Sequence, residues 1–583
     1  MSLAIKSFSV ALVVAAASIA ALVPMSALAQ SNTSQLAHDS KPVRVKPAFP
    51  QLDLGAASKG NAAVARLGAR LPEVAAYYGK TSAQFATAMR DDKSTWLDKH
   101  GRVFHMEEPA GPPPPGYYDE ALVTAPGTTA QVGAVYGLDQ TFVLHSRPGA
   151  KRKIYLDFNG HTLTGTAWNS AYGSDPIIAA PYDTDGVPGT FSTAELTAIQ
   201  NVWRRVAEDY AAFDVDVTTQ EPSADLMTRS SGADDTYGVR TLITRNFTAA
   251  LGNNCGCGGF AYIGVFDTTA EAYKIPFVFF DMLGGDKNIA EATSHEVGHT
   301  LGLWHDGAAG TGYYSGHGSL DTGWAPIMGV GYYKWLVQFS KGEYAGANNT
   351  EDDYAVMASN GVNVAPDDFG NTKASAAVLE PTTVNGINTY DAQGVINSPA
   401  DVDSFKFHSA AGTITIDARP FNKSPNADLL VIVRDAAHNI VASANPADAL
   451  NGYISISRPA GTYWVSVQGT GKGDLASGYS AYGSLGRYSV KVTAPVPLAS
   501  GIPLAIVSAN TTNALAPVNV TFNGGASNGA ITLYEWNFAD GTPVAYGASV
   551  SHAYNAAGTY NASLRVTSSA GYSDIRAIQI IVR

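Results

Sequence analysis

At 583 residues the chain is too long for one compact domain: with about 150 residues per domain, its length implies roughly four units. The 37 Lys and Arg against 50 Asp and Glu leave a formal net charge of −13, which excludes nucleic-acid binding through a basic patch. A hydrophobic fraction of 45% excludes wholesale disorder, and two cysteines exclude a disulfide-stapled scaffold.

Residues 1–30 combine a positive Lys6, an apolar run over 8–23 and the small-x-small triplet Ala27, Leu28, Ala29. This is the pattern of a cleaved secretory signal over 1–29. An uncleaved anchor is the alternative, and the short run, Pro24 and the immediate cleavage signature count against it. No later stretch holds about 18 uninterrupted apolar residues, so the mature chain is expected to lack a membrane span and to be secreted as a soluble monomer.

Residues 30–148 have uneven texture: a polar, Pro-rich stretch, a helical patch over 71–92, a strand-like GRVFHMEEP over 101–109, and GPPPPG over 111–116. The proline run can be neither helix nor sheet interior and reads as a linker. The region reads as a propeptide or N-terminal accessory segment.

From 149 to 362, strands and helices alternate. KIYLDFNGH (153–161) reads as a buried strand, and Ser192 with Glu195 forms a capping box that opens an amphipathic helix over 194–213. Further strands are predicted at 214–219, 238–247, 260–266 and 275–280. Asn288 and Glu291 repeat the capping-box spacing and are predicted to open the next helix. From 363 to 498 the pattern is all-β with Gly, Asn and Asp turns, as in a β-sandwich, and a Pro-rich joint leads to a second all-β module over 502–583. No period repeats along the chain, which excludes solenoids and propellers.

The chemistry is concentrated in HEVGHTLGLWHD (295–306). His295 and His299 stand at i and i+4 on one helix, so both imidazoles leave the same face about 6 Å apart in rise. That spacing suits two neutral nitrogens on one tetrahedral Zn²⁺, with Glu296 placed to serve a zinc-activated water as general base. Gly302 can take φ > 0, end the helix and turn His305 back as a third ligand, leaving a fourth position for water. The implied reaction is hydrolysis of an unactivated amide without a covalent intermediate.

The set His295, Glu296, His299, Gly302 and His305 is the HExxHxxGxxH signature, and the region 150–362 resembles the metzincin clan of zinc endopeptidases. Asp306 resembles the HD ending of the adamalysin/reprolysin-type branch, and Met328 in APIMGVGYY fits the clan's Met-turn, a hydrophobic floor under the zinc histidines. The resemblance implies an α+β catalytic domain, a twisted mixed sheet plus an active-site helix, acting on proteins and peptides. Val330 stands where astacin- and serralysin-like members have Tyr, so Tyr332 and Tyr333 are assigned packing or subsite roles. FAYIGVF resembles the exposed edge strand along which metzincins align substrate, an ordinary central strand being the alternative. The alternative function is an extracellular binding or adhesion protein with an inactive metzincin-like domain; the intact Glu296 and three histidines count against it.

Cys255 and Cys257, one Gly apart, are read as a local disulfide, with a reduced metal-binding pair as the rival. Neither lies in 30–148, so latency has to come from another ligand or from steric blocking. His105 and the pair Asp91 and Asp92 are candidate blockers, although a solvated face is the simpler reading of each. His317 is a candidate fourth ligand, with a rim position preferred. Asp183 and Asp185 supply closely spaced oxygens, as Ca²⁺ loops do, beside the simpler reading of a plain turn, and the same holds for Asp401 and Asp403. Residues 366–496 resemble bacterial pre-peptidase C-terminal domains. The last module resembles the PKD domain through Trp536, Asp540 and Gly541, with Ala539 in place of the usual Gly. Such modules imply binding to insoluble polymers.

Overall fold

The computed structural model describes residues 46–113, 135–252, 254–308, 310–497 and 501–583. The predicted signal segment and the second half of the proline run lie outside the described residues. Among the described residues, no helix is long and apolar enough to cross a membrane.

Among the described residues before the first sandwich, the elements that position the site stand beside a short parallel pair, Trp324–Pro326 with Leu336–Gln338. In chain order they are β1 (Ser58–Lys59), α1 (Gly60–Leu67), α2 (Leu71–Tyr77), α3 (Ser82–Asp91), β2 (Thr95–Leu97), β3 (Val103–Glu107), β4 (Arg152–Asp157), β5 (His161–Leu163), α4 (Ala167–Tyr172), β6 (Ile177–Ala179), α5 (Thr193–Asp209), β7 (Asp216–Thr218), α6 (Ala224–Met227), β8 (Tyr237–Thr244), β9 (Gly259–Tyr262), β10 (Phe277–Phe279), α7 (Asp286–Thr300) and α8 (Asp353–Ser359). Eight strands form one mixed sheet in the order β1-β2-β3-β9-β10-β8-β4-β7. The β10, β8, β4 and β7 pairings are parallel, and those from β1 to β10 are antiparallel. Three strands of the N-terminal segment thus extend the main sheet, and β9, read from sequence as edge or centre, lies inside it. Only residues 259–262 of the FAYIGVF region are strand; beyond them Gly264 N and Phe266 N donate to His299 O and Thr300 O at the end of α7.

Local chemistry sets the helix starts. Ser192 and Glu195 form the expected reciprocal capping box at α5, and Thr81 with Gln84 does the same at α3. The opening of α7 differs from expectation. Gly285 is its N-cap and Asp286 meets the positive helix end, while Asn288 donates to Leu283 O at 2.9 Å and Glu291 pairs with Lys287 at 2.9 Å, both already inside the helix. Residues 135–147, grouped by sequence with the N-terminal region, pack on α5, where Gln200 Nε2 donates to Thr141 Oγ1 at 3.0 Å.

Two β-sandwiches follow. The first pairs a five-stranded sheet centred on Gly461–Gly469 with another containing Ile387–Ile396 and Gly486–Pro495, and its core is continuous with that of the mixed sheet and α5. The second buries Trp536 fully, with Nε1 donating to Gly547 O at 3.1 Å, so this Trp is core and not a ligand platform. Ala539 takes φ +60°, the left-handed conformation that explains why Gly is usual there.

One tight spot in the sheet is testable. A Cβ on Gly238 of β8 would stand 2.3 Å from Lys153 O in β4, a backbone atom that cannot swing aside. Gly238→Ala is expected to destabilise the catalytic region by about 1–3 kcal/mol, read as a lower midpoint in denaturant unfolding followed by tryptophan fluorescence.

Candidate metal centre

α7 ends in the turn that gathers the three histidines. Gly302 takes φ +98° and donates to His299 O, and a Cβ on it would stand 2.6 Å from Asn360 Nδ2. The reversed chain brings His305 back, so that its ring centre is 4.7 Å from that of His299 and 5.1 Å from that of His295.

Each ring is oriented through its Nδ1. His295 Nδ1 donates to Ile327 O at 2.8 Å and His299 Nδ1 to Leu303 O at 2.8 Å. A carbonyl only accepts, so Nδ1 carries the hydrogen and Nε2 keeps its lone pair. His305 Nδ1 bonds the Asp92 carboxylate at 2.6 Å. The three Nε2 atoms face one another: His299 and His305 approach to 3.0 Å, and the Nε2 of His295 has no hydrogen-bond partner.

A carboxylate that the sequence reading missed fills the remaining side. Glu107 Oε1 lies 2.9 Å from His305 Nε2 and 3.2 Å from His299 Nε2, and its Oε2 lies 3.5 Å from His295 Nε2 and accepts from Tyr313 OH. The available signal was strand periodicity, since His105 and Glu107 share one face of β3. His105 and Asp92 also depart from the solvated-face reading. His105 is fully buried and stacks on His299 at 4.4 Å, covering that ring, while Asp92 holds His305; Asp91 is exposed.

Electrostatics match a cation-binding cage. Burial pushes His299 down to about 4. Burial also acts on His305, but Glu107 and Asp92 overcome it and raise the ring to about 10. Glu296 is fully buried with both oxygens unpartnered, and burial and the nearby Glu107 hold its carboxyl well above the usual range. It lies against β9, where a Cβ on Gly259 would stand 2.3 Å from Glu296 Oε1. Three lone pairs and a carboxylate at these distances repel unless a cation or a proton sits among them, so the residues present fit a metal with histidine and carboxylate ligands.

Met328 is fully buried behind the helix, where Gly298 makes room: a Cβ there would stand 2.6 Å from Met328 Sδ. Met328 O also accepts from Asp306 N at 2.8 Å, which ties the Met-turn to the third histidine. His317 lies away from the cage, with Nε2 donating to Gly478 O at 2.8 Å and Nδ1 bonded to Tyr314 OH. Cys255 and Cys257 form a disulfide in the loop before β9. Asp183 and Asp185 come within reach of Glu195, but their Oδ1 atoms accept from the Gly186 and Val187 amides as in a turn, and Glu195 caps α5.

A further acidic group lies at the first sandwich. Asp367, Asp368 and Asp403 share ligand-range spacing, and Asp401 and Asp403 are buried, each with its Oδ1 unpartnered. Burial, with the neighbouring carboxylates, pushes Asp401 up to about 7 and Asp403 up to about 9. The folded chain therefore holds protons there that the unfolded chain releases near pH 4. Their contribution to stability is full below about pH 4 and is lost as pH rises through 7 and 9, at about 1.4 kcal/mol per pKa unit. The denaturant midpoint of this sandwich, measured in chelator, is expected to fall between pH 5 and pH 9, and Asp403→Asn to flatten that fall.

The family model for the PKD domain matches residues 503–582, so the last module is a PKD domain. A search of curated proteins returned no match. Among solved structures, the chain is similar to the PKD1 domain of the Vibrio cholerae metalloprotease PrtV, at 26% identity over 14% of this chain and 96% of that one, with a TM-score of 0.13. It is also similar to the pre-peptidase C-terminal domain of a Bacillus anthracis collagenase, at 15% identity over 21% of this chain and 99% of that one, with a TM-score of 0.16. A structure of carbohydrate-binding modules from the β-sandwich superfamily is 29% identical over 15% of this chain, which spans 36% of it, with a TM-score of 0.14.

The contact between Gly298 and Met328 is open to test. In Gly298→Ala the new methyl forces the Met328 side chain away, and overpacking of this kind costs about 1–3 kcal/mol. The variant is expected to unfold at lower denaturant and to bind zinc at least 10-fold more weakly in competition with a chromogenic chelator.

Proposed function

We propose that this chain is a secreted zinc endopeptidase that hydrolyses peptide bonds in proteins. The observation that carries this reading is the convergence of three histidine rings, two of them fixed through Nδ1 by the carbonyls of Ile327 and Leu303, beside a buried Glu296 whose oxygens have no other partner. His295, His299 and His305 would hold the zinc. When bound, the ion supplies Lewis-acid polarisation of the scissile carbonyl and acidifies water. Glu296, raised by burial, takes the proton from the attacking water and returns it to the leaving amine. The peptide lies extended along β9, which presents backbone donors and acceptors on the side where β3 now pairs.

Calcium is the second cation in this reading. The buried, unpartnered oxygens of Asp401 and Asp403 support a site at the first sandwich more strongly than Asp183 and Asp185, whose oxygens already serve backbone amides. The two C-terminal modules are read as anchors to insoluble polymers, with the PKD match as support. Binding without catalysis is the alternative, and no feature of the cage favours it.

The test compares the zinc-loaded protein freed of residues 1–134 with its Glu296→Ala variant. Both should bind one zinc, and the parent should cleave unfolded casein with kcat/KM higher by about 10²–10⁴. Equal rates in the two would overturn the role of Glu296, and silence from both with zinc bound would overturn the peptidase reading.

A further inference from the structure

The N-terminal segment enters the cleft as a peptide would. β3 pairs antiparallel with β9, Phe104 opposite Tyr262 and Glu107 opposite Gly259, and Ile263 N donates to Val103 O at 3.1 Å while Gly258 N donates to Glu107 O at 2.9 Å. Without β3, β9 would be the sheet edge beside the histidines. Past Glu107 the chain continues across the site, where Gly111 O accepts from Tyr333 OH. At the crossing, the Glu107 side chain turns into the cage and contacts all three histidine Nε2 atoms. The described salt bridges of Glu107 are to these histidines, and its other hydrogen bond comes from Tyr313.

We propose that Glu107 is the fourth ligand of the metal in the full-length chain and that β3 holds the substrate's place, so that the N-terminal segment keeps the enzyme latent. This rests on the endopeptidase reading. The carboxylate occupies the position that the attacking water needs, and Glu296 is sealed with no solvent exposure, so the strand lies in the cleft without being cut. The segment also grips the turn that delivers the third histidine. Trp304 packs against Tyr78 and Phe85, Lys80 Nζ lies 4.5 Å over its ring, and Asp92 orients His305. Latency here needs no cysteine; a carboxylate takes the ligand position, and sheet pairing gives it direction.

The test uses the full-length chain carrying Glu296→Ala, so that no self-cleavage occurs, loaded with Co²⁺ in place of zinc. Its visible absorption is compared with that of chains that also carry Glu107→Ala or the isosteric Glu107→Gln, together with the affinity of each for acetohydroxamate. Removal of the carboxylate is expected to shift the cobalt bands in both variants and to tighten acetohydroxamate at least 10-fold, with one Co²⁺ still bound. Because the amide variant preserves side-chain volume, agreement between the two variants excludes misfolding as the cause. Unchanged bands and affinity with one Co²⁺ bound would overturn the Glu107 ligand and leave the peptidase reading intact. Cobalt binding indifferent to His299→Ala would overturn both.

Discussion

The arrangement depends on one constraint: three imidazoles must point bare nitrogens at one spot inside the protein. A buried lone pair without a partner is costly, and three together are tolerable only with a cation or a proton among them. Each ring is therefore fixed by what it gives its opposite nitrogen. Ile327 O and Leu303 O lie on turns that exist because of residues without side-chain bulk. Gly302 reverses the chain at φ +98°, and Gly298 lets Met328 close against the helix. The motif's glycine is part of the ligand set in this sense, since without it Leu303 and His305 could not be where the other rings need them.

The sheet imposes the second constraint. An open strand edge offers unpaired amides to any extended chain, which suits capture and equally invites unwanted pairing. β3 covers that edge with the chain's own backbone. It brings the Glu107 carboxylate to the cage and His105 to stack on His299, while Asp92, just after α3, bonds His305. The N-terminal segment is thus folded onto the catalytic sheet, with its helical cluster closing over Ile263 and Trp304.

How much of this was legible in sequence follows from range. The i, i+4 histidines, the turn at Gly302, the capping box at Ser192 and the alternating strands of both sandwiches are local patterns, and all appear where the periodicity placed them. Glu107 was not legible as a site residue, because its significance comes from pairing across more than 150 positions with β9. A single His and Glu on a five-residue strand look the same on a solvated face. The start of α7 went astray for a related reason: Asn288 and Glu291 have capping-box spacing, but Gly285 and Asp286 begin the helix earlier and turn both residues to tertiary partners.

The first sandwich is tied to α5 and α7 through buried polar groups. Asp209, at the end of α5, accepts from Ser294 Oγ at 2.5 Å and from Asn426 Nδ2 of the sandwich at 3.0 Å. Next to it, Glu208 accepts from the Arg487 amide at 2.9 Å, and burial pushes its carboxyl up to about 8. Ser294 immediately precedes His295, so the sandwich supports α7 from behind through Asp209, and Arg205 makes a second link between Ser424 of the sandwich and Asp286 of α7. Removing the sandwich would take away the Asn426 and Arg487 partners and open both carboxylates to water. The PKD domain is joined differently, through Lys406 and Asp574 at 2.6 Å and a short strand contact at Thr462. Loss of that module leaves the α5 carboxylates untouched, so the unit that holds α5 and α7 in place ends after the first sandwich rather than before it.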